Sequence, residues 1–431
     1  MKKFASYLIP SLIASVLMSM YAIVDGIFIG QKIGDVGLAA INITWPITSF
    51  LQSIGTAMGL AGGIYIQKLL ARKEEKKASK IKLTTLLMVI ILGIIVGLLF
   101  YAVRIPLLYT LGATEESFGY ALNYLRVILI GSVFQMTGMT FIPLLKNSNK
   151  VKLAAAASLS SVFTNLILDY AFIYGLDMDL YGAALASVLA QVVSSIICLF
   201  AYFKEFKGIS LERKDYWEIS KISIAPFILA YSYSIVIIIS NLVCTSFGGD
   251  EAVAAYTLLS YLSYIIIAVA CAVGDSIQPL FSFNQAAGDY QSNHRMLKYC
   301  FIISFLCCGI FILLMVLFNN QLGELYNLSE KSFAYYQDGL VYYMIGGALV
   351  SIIKVSSSYL YAIDAKLFAN ILVIAEPFIL TPIAFLIFCF PLKLYGVWTS
   401  YTFVQVSLLI LAGTLLWIQK NKIQKRYSFQ N

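Results

Sequence analysis

The feature that most constrains this chain is an apolar segment, usually 20 residues or longer, that recurs twelve times between polar connections. The segments are residues 7–30, 38–67, 83–103, 118–145, 153–175, 181–203, 222–247, 253–285, 297–318, 333–362, 367–390 and 394–418. A helix of about 20 apolar residues matches the hydrocarbon thickness of a bilayer. Inside hydrocarbon no water can satisfy backbone N–H and C=O groups, so each segment must close its hydrogen bonds internally. Charged residues make up only 12% of the 431 residues, against about 25% in soluble domains. An all-α polytopic membrane protein with twelve transmembrane helices is expected. The second and eighth segments exceed what a bilayer needs and are expected to tilt or extend beyond it.

Loop charge orients the chain. With the N-terminus inside, 24 of the 30 lysines and arginines fall in cytoplasmic connections or tails, as the positive-inside rule requires. The outside connections hold only Lys32, Arg104, Lys331 and Lys393. Both ends are therefore expected in the cytoplasm, in a multi-pass cell-membrane protein. Lys2 and Lys3 lead into a full-length span rather than a short cleavable core, so this span is expected to stay as the first helix. The net charge of +8 then sits mostly beside anionic lipid. It requires no nucleic acid, and membrane lipids are the expected surroundings.

The longest polar connection, residues 204–221, separates two sets of six segments: an N-terminal lobe over 1–203 and a C-terminal lobe over 222–431. The lobes share a pattern at a near-constant offset. Pro10 matches Pro226, Asp25 matches Asn241, Gly34-Asp35 matches Gly249-Asp250, and Ala39-Ala40 matches Ala254-Ala255. Further on, Gly59 matches Gly274, Lys152-Leu153 matches Lys366-Leu367, and Tyr181-Gly182 matches Tyr395-Gly396. An even number of spans per repeat gives both copies one orientation, so a pseudo-two-fold axis along the membrane normal is expected, with substrate between the lobes.

Charged side chains inside spans are costly and mark functional candidates. Asp25 lies about 6 Å inside the outer end of the first span, and Asp169 about 9 Å inside that of the fifth. Asn165 is one turn deeper on the face of Asp169, and Ser187 returns at a similar depth on the sixth span. These four are expected to form one polar cluster in the outer half of the N-terminal lobe. Two carboxylates sharing an apolar site favour proton exchange; the alternative is a hydrogen-bonded network that only fixes helix packing. Asp275, Lys354 and Glu376 form a second group, each about 12–15 Å from the inner end of its span. A lysine between two acids suggests an ion-paired network that acts as a gate, a substrate contact or a structural lock. Arg126 is expected to snorkel toward Glu115 or Glu116. Pro10 removes a backbone hydrogen bond and bends the first helix, or else is tolerated near its start. The glycine spacings at 26/30, 55/59 and 93/97 read as helix-packing signals.

Several chemistries are disfavoured. The seven cysteines lie in apolar runs without a CxxC pair, and His294 is the single histidine, so no metal site or cofactor is expected. A membrane-embedded enzyme acting on lipid diphosphates would need paired acids at the membrane face. Asp177-x-Asp179 is the only close Asp pair, in a short outside loop.

The stretch from Asn165 to Ser187, NLILDYAFIYGLDMDLYGAALAS, resembles the fifth-to-sixth-helix signature of the multidrug and toxic compound extrusion transporters. Its first glycines are replaced, while Gly182-Ala183-Ala184 remains. Pro10, Tyr21, Asp25-Gly26, Ile29-Gly30 and Leu38-Ala39-Ala40 also resemble that family, as do Ile277-Gln278-Pro279 and Asn284. The resemblance implies a secondary active antiporter that exports small amphipathic organic cations in exchange for protons by alternating access. It assigns cation coupling to Asp25, Asn165, Asp169 and Ser187, and a helix bend to Pro10. Some members use sodium, with acids in the seventh and tenth spans, where this chain has Asn241 and Lys354. A lipid-linked precursor flippase is the related alternative; a strongly basic cavity would favour it, and only Arg126 and Lys354 are available. A monomer is expected.

Overall fold

The computed structural model describes residues 2–148 and 150–428, and among these there is no strand. The helices are α1 (Lys2–Ile33), α2 (Asp35–Ala71), α3 (Glu75–Thr110), α4 (Glu115–Ile130), α5 (Ser132–Asn147), α6 (Val151–Asp169) and α7 (Asp179–Tyr202). They continue with α8 (Arg213–Ala286), α9 (Tyr290–Leu317), α10 (Asn319–Leu325), α11 (Glu330–Ala362), α12 (Lys366–Ala375), α13 (Thr381–Leu392) and α14 (Leu394–Ser428). These are the spans of the twelve-helix, two-lobe fold. α4 and α5 meet at 62° and make one broken span; the kink falls at Gly131-Ser132, a pair that commonly admits one. α8 carries two spans, broken at Gly249.

The breaks follow the repeat. Gly34, between α1 and α2, has φ 78° and ψ −152°. Its counterpart Gly249 has φ 65° and ψ −157°. Both lie where a Cβ is strained, so the two copies start their second span from the same glycine-only backbone state.

Packing groups the chain into two units, Asp25–Thr245 and Met1–Val24 with Ser246–Asn431. The division at residues 204–221 follows the covalent repeat, whereas residues 222–245 pack with the first-repeat helices. Polar contacts explain that grouping. Tyr65 donates to Asp215 at 2.5 Å, and Ser49 and Ser234 pair their hydroxyls at 2.5 Å. Asn42 donates to Oδ1 of Asn241 at 3.0 Å, and Asn241 returns a bond to the Asn42 carbonyl at 3.0 Å. Phe50 packs between Phe100, Phe227 and Tyr231.

The Asp25–Thr245 unit also uses the expected glycine spacing. A Cβ on Gly55 or Gly59 would collide with the α5 carbonyls of Met136 and Thr140, and Thr140 donates back to the Gly55 carbonyl at 2.9 Å. The connection before α8 is strapped down: Glu205 bridges Lys82 and Lys150, and the Ser210 amide donates to Thr84 at 2.8 Å.

In the other unit, Leu8 packs into a core with Val273, Ile277, Phe281, Leu297, Cys300 and Val355. A second core joins Ile353, Ala375, Ala384, Val404 and Leu408. Ser11 donates to the Ala272 carbonyl at 3.3 Å. Pro10, where a bend is expected, falls in α1 at a position whose side chain lies outside the described residues.

Candidate functional site: a buried acid pair and its hydroxyl partners

α1 continues to Ile33, so Asp25 lies about 12 Å from its outer end rather than about 6 Å. Asp169 is the last residue of α6, immediately before a π-helical turn, Tyr170–Gly175. Such turns recur at functional sites because they re-aim side chains. This one holds α1 in place. Phe28 packs on Tyr170 and Tyr174 with ring centroids 6.2 and 5.6 Å apart, and the Tyr174 hydroxyl donates to the Phe28 carbonyl at 3.3 Å. Beyond the span, Lys32 pairs with Asp177, which holds its ammonium above the usual lysine range.

The clasp turns Asp25 toward Asp169, and the two carboxyl groups come within side-chain reach of each other. Asn165 and Asp169 are both 1% exposed. Asn165 donates to the Ser187 hydroxyl at 3.3 Å, and so the four residues expected at one depth are brought together. Oδ1 of Asp25, both carboxylate oxygens of Asp169 and Oδ1 of Asn165 are buried and meet no donor among the described residues. Two acceptor-only carboxylates that face each other can bond only when one carries a proton. The arrangement thus has a place for one proton, and its state decides whether the pair attracts or repels.

Tyr124 completes the cluster. It is 4% exposed on α4 and lies near Ser187, Thr48 and both acids. Sequence reasoning missed Tyr124 and Thr48, since an uncharged tyrosine or threonine in an apolar span gives no signal. Only a depth comparison among all polar span residues could have raised them.

The second charged group is arranged differently from the expected three-residue network. Lys354 pairs with Glu376 at 3.3 Å, and Gln405 donates to the other Glu376 oxygen at 2.9 Å. Asp275 accepts instead from Ser358 at 2.6 Å and Gln278 at 2.9 Å. Glu376 opens a π-helical turn, Glu376–Leu380, that contains Pro377 and is followed by Pro382. Neither proline can donate a backbone hydrogen bond, which loosens the helix at this acid.

A duplicated, multi-pass helical bundle with a buried acid pair between its helices is the architecture of a membrane transporter. The chain belongs to the MatE family, whose model matches residues 10–171 and again 225–386, once per repeat. It is 25% identical over 283 residues to the multidrug export protein MepA of Staphylococcus saprophyticus, covering 64% of this chain and 62% of that one. It is 24% identical over 290 residues to MepA of Staphylococcus haemolyticus, covering 66% and 64%. The chain therefore spans just under two thirds of the length of these curated relatives. A solved inward-facing conformation of a multidrug resistance MATE family transporter of the MOP superfamily matches in fold. That likeness has a TM-score of 0.83 at 20% identity and covers 96% of this chain and 98% of that one.

Proposed function

We propose that this protein is a secondary active antiporter of the cell membrane, with both termini cytoplasmic, that exports amphipathic organic cations in exchange for protons by alternating access. The observation that carries this reading is the facing pair Asp25 and Asp169, whose buried oxygens meet no donor. Proton uptake from outside would turn a repulsive contact into an O–H···O bond and draw α1 toward α6. Loss of that proton to the cytoplasm would release it and reset the cycle. The relatives named as multidrug export proteins support export of drugs. A proton suits the cluster because it needs only two facing oxygens, and it is favoured over sodium as the coupling ion.

The test is uptake of ethidium into reconstituted vesicles under an imposed proton or sodium gradient. The reading expects movement with the proton gradient alone and its collapse on adding a protonophore. Transport that follows only the sodium gradient would replace the coupling ion. No movement under either gradient would remove the cation-export reading.

A further inference from the structure

We propose that Asp275 is the carboxylate that recognises the positive charge of the exported molecule within the Ser246–Asn431 part of the protein. The proposal deepens the cation-export reading above and rests on it. At 1.5 Å per residue, Asp275 sits about 16 Å from the Ala286 end of α8, well inside the membrane. It is nevertheless exposed while Ser358 of α11 and Gln278 of its own helix both bond its Oδ1, and so lies in a recess between α8 and α11. A carboxylate facing hydrocarbon at that depth would cost several kcal/mol, so the recess must hold water.

The neighbouring surface agrees. Tyr264, Cys271, Asp275, Gln278 and Ser282 fall at helical spacing along α8, and all five keep accessible surface. That stripe is polar, whereas the exposed face of α9 is built from Ile302, Phe305, Leu306, Ile310 and Leu313, as a lipid-facing surface should be. α8 therefore presents a wetted face and α9 an oily one.

Charge accounting gives the ligand class. Lys354 is neutralised by Glu376, and Gln405 satisfies the remaining oxygen of that acid. Asp275 has hydroxyl and amide donors on Oδ1 but no cationic partner among the described residues. Among the described residues one negative charge is left without a cation, held in a fixed orientation by Ser358 and Gln278. Tyr264, 45% exposed, lies on the same stripe about three turns, or about 16 Å, along α8, too far to touch a charge held at Asp275. An oriented carboxylate without a cation suits a single positive charge that can accept the bond geometry Ser358 and Gln278 leave open on Oδ2.

The experiment measures ethidium binding to the purified full-length protein by fluorescence. Asp275→Asn should weaken binding by about tenfold or more, as for a desolvated charge pair, whereas Asp275→Glu should stay near the unmodified value. A readout on the unmodified protein avoids any folding defect: saturating ethidium should protect Asp275 from a water-soluble carbodiimide, read by mass spectrometry of the peptide. If the protein binds ethidium while Asp275→Asn binds equally well, or if Asp275 labels at the same rate with and without ethidium, the assignment is overturned and cation export stands. If the unmodified protein neither binds nor transports ethidium, both fall.

Discussion

Asn42 and Asn241 exchange two hydrogen bonds of 3.0 Å in the middle of the helical bundle, and Asn241 occupies the place in the second repeat that Asp25 holds in the first. One copy of the repeated position is thus a neutral helix clamp and the other an acid. Interhelical polar contacts in membranes contribute about 0.5–2 kcal/mol each. A double-mutant cycle of Asn42→Ala and Asn241→Ala, read as unfolding in detergent, should give a coupling energy of about that size. Additive effects would show that the pair does not hold α8 to α2.

The twin glycines make a second prediction. Gly249→Ala places a Cβ at φ 65° and ψ −157° and should destabilise the fold by about 1–3 kcal/mol. Gly34→Ala should cost a similar amount, because its backbone is in the same state. Gly309 in α9 is the control: a Cβ there meets nothing within 4 Å, so Gly309→Ala should be neutral or slightly stabilising. Equal effects at all three sites would contradict the backbone argument.

The strap before α8 should weaken in acid. Burial pushes the Asp215 carboxyl up, but hydrogen bonds from Ser210, Tyr65 and Lys77 outweigh it and hold the group below its ordinary value. Glu205 is likewise held low by Lys150 and Lys82 against burial. A carboxyl with a lowered folded value stabilises the fold at pH above its unfolded value, about 4. That contribution disappears as pH falls through the lower folded value. Thermal midpoints in detergent should therefore be nearly flat above about pH 5 and drop below about pH 4, and Asp215→Asn with Glu205→Gln should flatten the drop.

Much of this was legible in the sequence for physical reasons. Hydrophobic length had to yield spanning helices, and the matched Gly34 and Gly249 do adopt one backbone state. The Gly55/Gly59 spacing is a close helix crossing with α5. Depth counting brought Asp25, Asn165, Asp169 and Ser187 to one level, where the structure gathers them. What escaped is set by packing rather than composition. Tyr124 and Thr48 carry no charge to mark them, and the π turns beside Asp169 and at Glu376 depend on tertiary context. The separation of Asp275 from the Lys354–Glu376 pair depends on which face of α8 meets Ser358. The grouping of residues 222–245 with α2 rests on asparagine and serine pairs, which look ordinary until their partners are known.

The central claim is that the exchangeable proton resides on the Asp25–Asp169 pair. The most direct measurement is the proton released into weakly buffered solution, followed with a pH dye, when saturating ethidium is added to the purified protein. The account predicts about one proton per ethidium from the unmodified protein, since two facing carboxylates share one, and none from the folded Asp25→Asn/Asp169→Asn variant. Undiminished release from that variant would place the proton elsewhere and contradict the account.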